Sequence, residues 1–464
     1  MHVDRSNGHG PGLIGQHNIE AMLKRAMLLS EADETEAMLT ASNDSLTRFA
    51  YNVIDQNVAE MDAALQVRAV FASRVGMAST NDLSPAGIER VTRQACDMAQ
   101  HAPENPDWPG LPEPQALPAS RSVAYDEAVA GMTPEARARV VADICRSARA
   151  AKLLASGAFS TGWTEYAVMN SKGLFAYAPN TEVDLTFVVE RPSELASAYA
   201  NATGWQLSQI DVEALKRQAI DHALTDRHPR PIEAGEYPVV LEPYAVVNIL
   251  EALAEAGMGA LAVQEDRSWM NRRIGRRCLS PQISIVDDAF DPDGFPQAFD
   301  CEGVPKQRVP IVVDGVPTSP VYDRLTAARE DGRVSTGHAQ PYDEDWDGPL
   351  PENLSMAPGK LSVEELIRSI DRGLYITRFW YVSLTAPHNC GVTGTTRDGV
   401  WWIERGELAY PVTNLRVDQE LIAALKRVRG VGRERRTLSG YYGGVHRVPA
   451  LALESFRFIE AGDE

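Results

Sequence analysis

Gly235-Glu236-Tyr237-Pro238-Val239-Val240-Leu241-Glu242-Pro243-Tyr244 runs without a break into residues 245–256. Val239, Val240 and Leu241 form a compact apolar run, as a short buried strand requires. Glu242-Pro243 ends that run. Pro243 suits the first turn of a helix, where its missing N–H needs no partner. Val246, Ile249, Leu250 and Leu253 then fall at i, i+3, i+4 and i+7 and make one apolar face. The stretch therefore predicts a buried strand, a turn and an amphipathic helix. No histidine occurs between His228 and His338, so this corner carries no imidazole of its own.

The chain around it has 464 residues, a length prior of roughly three domains, with two large ones fitting equally. Hydrophobic content of 44% and charged content of 23% are those of a soluble globular protein. No run reaches the ~18–20 apolar residues of a membrane helix. Residues 1–17 are expected to be a disordered lead-in, polar and Gly/His-rich at the start, with no apolar core for a signal peptide. The five cysteines are few, odd in number and widely spaced, and none forms a CxxC pair. That usage suits a reducing cytoplasm and opposes a cysteine-based zinc site. The formal charge of −19 opposes direct binding of nucleic acid or anionic lipid. One basic stretch, Lys426 to Arg436, is read as a solvated helix end and loop.

Taken in order, Asn18 is expected to cap a first helix with Ile19, Met22, Leu23 and Ala26 on one face. Short strands follow at 35–41, 45–50, 63–71 and 74–79, with Asn43-Asp44 as a turn between the first two. Ser84-Pro85 starts a second helix that buries Ile88, Val91, Ala95 and Met98. Residues 102–120 hold six prolines and read as a loop. Thr133-Pro134 starts a third helix, ended by Gly157. Residues 158–169 and 174–178 form a hairpin about Asn170-Ser171-Lys172-Gly173. Val183, Leu185, Phe187 and Val189 alternate with polar residues in a strand at 181–190. Asp211 caps a helix through Leu215, Ala219 and His222. The break at 226–231 divides an N-terminal domain, 18–228, from a C-terminal one, 229–464. The second is richer in strand, at 282–286, 308–313, 374–386, 400–404, 408–412 and 450–458. It also holds a short helix near 322–330, an acidic surface loop at 339–353, a capping box at Ser362-Val363-Glu364-Glu365 and a helix at 417–428.

These pieces, in this order, resemble the TldD/PmbA family, and specifically its PmbA (TldE) branch. The resemblance is carried by Gly76-Met77-Ala78-Ser79-Thr80, Asn170-Ser171-Lys172-Gly173, Gly235 to Pro243, Ser280-Pro281, Asp287-Asp288 and Phe299-Asp300-Cys301-Glu302-Gly303-Val304. It continues through Ser335-Thr336-Gly337, Arg372-Gly373-Leu374-Tyr375, Glu404-Arg405-Gly406-Glu407 and Tyr410-Pro411-Val412. It implies an α+β fold of two domains, an α/β N-terminal half and a C-terminal half dominated by antiparallel β-sheet. It implies a heterodimer with a TldD-like subunit whose HExxxH helix and later cysteine hold zinc. The pair degrades unfolded peptides or trims leaders. The family has also carried the name of gyrase modulator.

The ligands do not carry over. The histidines of HExxxH lie about 140° apart on an ideal helix, so the motif needs local distortion to converge on one ion. At the matching helix stand Asn248, Ile249, Leu250, Glu251 and Ala252, a glutamate without an imidazole. Where the cysteine is expected the chain reads Ser439-Gly440-Tyr441-Tyr442-Gly443-Gly444, and one imidazole nearby, His446, is not a zinc site. The expectation is a chain that binds no cofactor, with zinc in the partner subunit and no catalytic residue of its own. A stand-alone homodimer that binds a peptide or small molecule without metal is the alternative.

Glu242, His388 and Cys390 are the candidates for contact with the peptide or its chamber. Two apart on an extended chain, His388 and Cys390 would share one face and could pair for metal or nucleophilic chemistry. A turn between strands explains them more cheaply. Asp287, Asp288, Asp300 and Glu302 could hold a hard cation, but no EF-hand spacing occurs and a structural turn is the simpler reading.

Overall fold

The computed structural model describes residues 12–117, 124–225, 227–341, 348–440 and 444–461. Its first half is built on long antiparallel strands. They are β1 (Glu34–Ala50), β2 (Val53–Phe71), β3 (Arg74–Thr80), β4 (Leu154–Asn170), β5 (Phe175–Arg191) and β6 (Ala196–Gly204), in the order β3-β2-β1-β4-β5-β6. Odd-numbered residues of β1 and β4 face one way, and Leu39, Phe49, Phe159 and Trp163 among them are buried. Five helices accompany the sheet: α1 (Gln16–Leu29), α2 (Pro85–His101), α3 (Glu127–Ala130), α4 (Pro134–Ala150) and α5 (Val212–Thr225). Ile19, Leu23, Ile88 and Val91 cover one end of that face, and Val141, Ile144, Leu215 and Ala219 the other.

Cap chemistry sets these helices. Ser84 and Thr133 accept from the N–H three residues on, and Pro85 and Pro134 occupy the first turn. Ser84→Ala should cost about 1 kcal/mol, read as a lower denaturant midpoint at unchanged slope. Asn18 does not cap α1. The helix begins at Gln16 after Gly15, inside the expected lead-in, and Asn18 Nδ2 donates to the Ile14 carbonyl. Met98 is 49% exposed, one position off the buried stripe of α2. Residues 1–11 and 118–123, expected as lead-in and loop, lie outside the described residues.

Asn43-Asp44 makes no turn. Both residues pair with β2 on one side and β4 on the other, and ladder bonding on two edges outweighs their turn preference. Gly162 faces Asp44 there; a Cβ on it would stand 2.7 Å from Asp44 Oδ1. Gly157 likewise lies inside β4, and α4 stops earlier, at Ala150. The hairpin partner and the alternating strand after it are one strand, β5.

The second half contains β7 (Gly235–Leu241), α6 (Pro243–Glu255), α7 (Ala260–Gln264), β8 (Ile285–Asp287), β9 (Val309–Val313), β10 (Val316–Pro317), α8 (Arg324–Ala328), β11 (Leu354–Met356), α9 (Val363–Arg368), β12 (Arg372–Ala386), β13 (Gly391–Glu404), β14 (Glu407–Pro411), β15 (Leu415–Glu420), α10 (Leu421–Leu425), β16 (Val428–Ser439) and β17 (Val445–Ala461). β7 pairs in parallel with β12 and antiparallel with β17. Because β12, β13, β15 and β17 also pair in series, the five strands close into a ring. Val239 and Leu241 sit in it as a buried strand, as their run predicts. α6 packs its Val246, Ile249, Leu250 and Leu253 against Leu374, Ile376, Leu453 and Phe456 in one core. The fold is mixed α+β, with the second sheet antiparallel apart from the β7–β12 and β11–β17 pairs.

Residues 417–428 are not one helix. Val417 pairs with Gly394 of β13, and only Leu421–Leu425 turn helical before β16 begins. Their apolar spacing fits both periods, and two available strand edges decide it. The basic stretch therefore runs along β16, where Arg435 Nη1 donates to Ser355 Oγ at 2.8 Å. The flanks of the acidic loop are buried at Ala339 and Asn353, and residues 342–347 lie outside the described residues.

A charged cluster joins the two sheets. Arg68 of β2, 4% exposed, reaches Glu36 of β1 at 2.7 Å and Glu302 of the second half at 3.4 Å. Burial, partly offset by Arg68, pushes the Glu36 carboxyl up from 4.5 to about 7. The folded chain therefore keeps a proton on Glu36 between pH 4.5 and 7 that the unfolded chain has lost. The contribution is complete below about pH 4.5 and fades as pH rises through 7, by about 3 kcal/mol. Glu36→Gln should flatten this part of the stability profile, read from urea midpoints of both proteins at pH 5 and pH 8.

Candidate active-site cleft

The turn that ends β7 places Glu242 at the N-cap of α6, without a side-chain capping bond. Glu242 is 5% exposed and accepts from the Tyr375 hydroxyl. Burial and the Glu242 charge push the Tyr375 phenol well above its ordinary range. One turn further on, Asn248, Glu251 and Glu255 of α6 line a cleft of about 240 Å³. Its opposite wall is β12 from Arg378 to Val382, with Tyr199 of β6, Tyr244, and the end of β16 at Leu438-Ser439-Gly440.

This cleft is the place where the resemblance implies a metal. Asn248 is committed elsewhere, since its Oδ1 accepts from the Phe379 N–H at 3.3 Å. Arg378 donates from Nε to Asp398 at 2.7 Å, and its guanidinium lies 4.1 Å from the Tyr199 ring centroid and 4.8 Å from that of Trp380. The described lining offers an amide and two carboxylates, no imidazole and no thiolate, beside a fixed cation. That donor set does not fit zinc, which is held by nitrogen and sulfur with at most one or two carboxylates. Among the described residues no group of three or more His, Cys, Asp or Glu is arranged to hold a metal. Tyr441, Tyr442 and Gly443, at the expected cysteine position, lie outside the described residues.

His388 and Cys390 do not face each other's side. Pro387–Asn389 form one 3-10 turn, and Cys390 follows with φ 48°. This breaks the alternation of an extended chain. His388 is exposed, near the Arg267 carbonyl at 3.3 Å. Cys390 is fully buried, and its Sγ donates to the Ala252 carbonyl on the buried side of α6 at 3.3 Å. Burial pushes its thiol far up, the opposite of an activated nucleophile.

Asp287 and Asp300 are committed to structural hydrogen bonds. Asp287 accepts from the Asn353 N–H at 2.9 Å and lies 3.0 Å from His338 Nε2. Asp300 accepts from the N–H groups of Glu302, Val304 and Ala339. His446 is 3% exposed, and burial pushes its imidazole down to about 4. The residues that shape the cleft, Tyr199, Arg378 and Trp380, escaped the sequence reading. Tyr199 comes from β6 and the other two from β12, in different sheets, and aromatic or arginine residues on strands give no signal of their own.

Together these features define a two-sheet α+β protein with a polar, aromatic-walled cleft at a strand-to-helix corner. Residues 35–99 match the PmbA/TldA metallopeptidase domain 1, and residues 234–460 match the PmbA/TldA metallopeptidase C-terminal domain. The chain belongs to the PmbA/TldD metallopeptidase family. The metalloprotease PmbA of Escherichia coli O157:H7 is 23% identical over 458 residues, covering 95% of this chain and 96% of that one. A metalloprotease of Methanothermobacter thermautotrophicus is 30% identical over 241 residues, 51% of this chain and 52% of that one. Among solved structures, TldE from Thermococcus kodakarensis superposes with a TM-score of 0.84 at 21% identity, covering 95% of this chain and 99% of that one. A Thermotoga maritima protein described as a modulator of a DNA gyrase gives 0.82 at 19% identity, covering 95% of this chain and all of the other. Among the described residues no helix is long and apolar enough to cross a membrane.

Proposed function

We propose that this chain is the metal-free, non-catalytic subunit of a heterodimeric zinc metallopeptidase that degrades or trims unfolded peptides. Its partner would be a TldD-like chain carrying HExxxH and the zinc. The observation that carries the reading is the lining of the cleft beside α6, where Asn248, Glu251 and Arg378 stand at the position for which the family resemblance implies a metal. An arginine held between two aromatic rings there opposes a second cation. The same wall suits an extended peptide. β12 is irregular between Trp380 and Ser383, and Tyr381 there is 67% exposed with φ 50°. Apolar and aromatic side chains at a broken strand give a peptide pockets for alternate residues.

Affinity purification of the tagged chain from its own cell, read by mass spectrometry, tests the pairing. The expected result is a stoichiometric partner of similar length whose sequence contains HExxxH. Recovery of this chain alone, as a defined homodimer, would replace the reading with a stand-alone binding protein.

A further inference from the structure

A second cavity lies on the other side of the corner. It has a volume of about 650 Å³ and opens between α5 and β16, lined among others by Gln218, His222, Glu242, Tyr375, Arg435 and Arg436. We propose that it binds a small zwitterion, an α-amino acid or a short peptide with free ends, through Glu242 and Arg436.

Two of the charges that open on this cavity, Glu242 and Arg436, are not paired among the described residues. Glu242 is 5% exposed; one of its oxygens accepts from the Tyr375 hydroxyl, and the other accepts no hydrogen bond from the described residues. Arg436 donates only to neutral groups: Gln218 Oε1 at 3.4 Å, the Asn201 carbonyl at 3.2 Å and the Tyr244 hydroxyl at 2.8 Å. Its guanidinium also lies 4.7 Å from the Tyr244 ring centroid. Neither group makes an ion pair with the other or with any other described residue, although both act on the Tyr375 phenol. A carboxylate withdrawn from water without a counter-charge is costly, and so is a half-buried guanidinium. Both are held in place by their neutral partners, Tyr375 on one side and Tyr244 with Asn201 on the other. A ligand with an ammonium group at one end and a carboxylate at the other would satisfy both at once.

The cavity volume falls in the range of small-molecule sites, which are mostly walled and carry a few fixed polar groups. His222, edge-on to Trp401 at 5.6 Å between centroids, and Leu215 supply the less polar wall. Tyr375, Arg436, Gln218 and Glu242 come from β12, β16, α5 and the β7–α6 corner, so the site exists only in the assembled fold. It stands independently of whether the chain pairs with a metallopeptidase.

Isothermal titration of the whole chain with L-alanyl-L-alanine, and with its N-acetylated and C-amidated forms, tests the site. The expected result is saturable binding of the free dipeptide, with each blocked form weaker by about tenfold or more. Glu242→Gln keeps an acceptor for Tyr375 and should weaken the free dipeptide about tenfold or more. Absence of saturation by about 10 mM, or equal binding of either blocked form, would overturn the proposal. So would unchanged binding by a folded Glu242→Gln protein. If that variant does not fold, the blocked dipeptides on the native chain decide alone.

Discussion

Replacing Arg68 with methionine is expected to cost about 3–5 kcal/mol of folding stability at pH 8. The arginine is 4% exposed and sits between two carboxylates that are themselves 6% and 3% exposed, Glu36 and Glu302. Removing it leaves two like charges in a site closed to water, with only the Arg324 N–H, 3.4 Å from Glu302, as a described donor to either carboxylate. Methionine keeps most of the packing against Trp108, whose ring the guanidinium approaches at 5.2 Å, so the loss reports charge rather than a cavity. Burial pushes both carboxyls up, Glu36 to about 7. At pH 5 Glu36 takes a proton, which removes the repulsion. The cost at pH 5 should therefore be clearly smaller than at pH 8. Urea unfolding at the two pH values measures it, and a loss below about 1 kcal/mol at both would show that the cluster does not join the sheets.

Leu253→Ala should cost about 2–5 kcal/mol. Leu253 is fully buried at the fourth apolar position of α6, inside the core formed by the strand ring. A neighbouring turn cannot collapse into the gap, because α6 is buried on nearly every side, from Pro243 to Ala254. The space left would remain as a void, and the penalty grows with its volume. A denaturant midpoint within error of the parent protein would mean that α6 is peripheral to the fold.

Much of this architecture was legible in the residues. The corner at Glu242-Pro243 was readable because an apolar run, a proline and a helical stripe follow one another within twenty residues. Ser84-Pro85, Thr133-Pro134 and the Ser362–Glu365 box marked three helix starts, since each signal is local and stereochemical. The length of β1 was hidden, because Asn43 and Asp44 look like a turn until partner strands supply their ladder bonds on both sides. Val417 was misjudged for the same reason. In the candidate site the missing ligands could be counted from the sequence. The walls could not, because Tyr199, Arg378 and Ser439 come from β6, β12 and β16 and meet only where the first sheet packs against the second. Cys390 carried a signal that misled: its position two residues from His388 suggested a shared face, and a left-handed residue after a 3-10 turn removed it.

In the proposed role this chain supplies structure and peptide contact without metal chemistry. Cleavage of an unfolded peptide substrate by the pure chain, with added zinc and then with a chelator, tests it most directly. No cleavage above background is expected in either condition, with cleavage appearing only when an HExxxH-bearing partner is added. Robust cleavage by the pure chain, abolished by the chelator and restored by zinc, would contradict it.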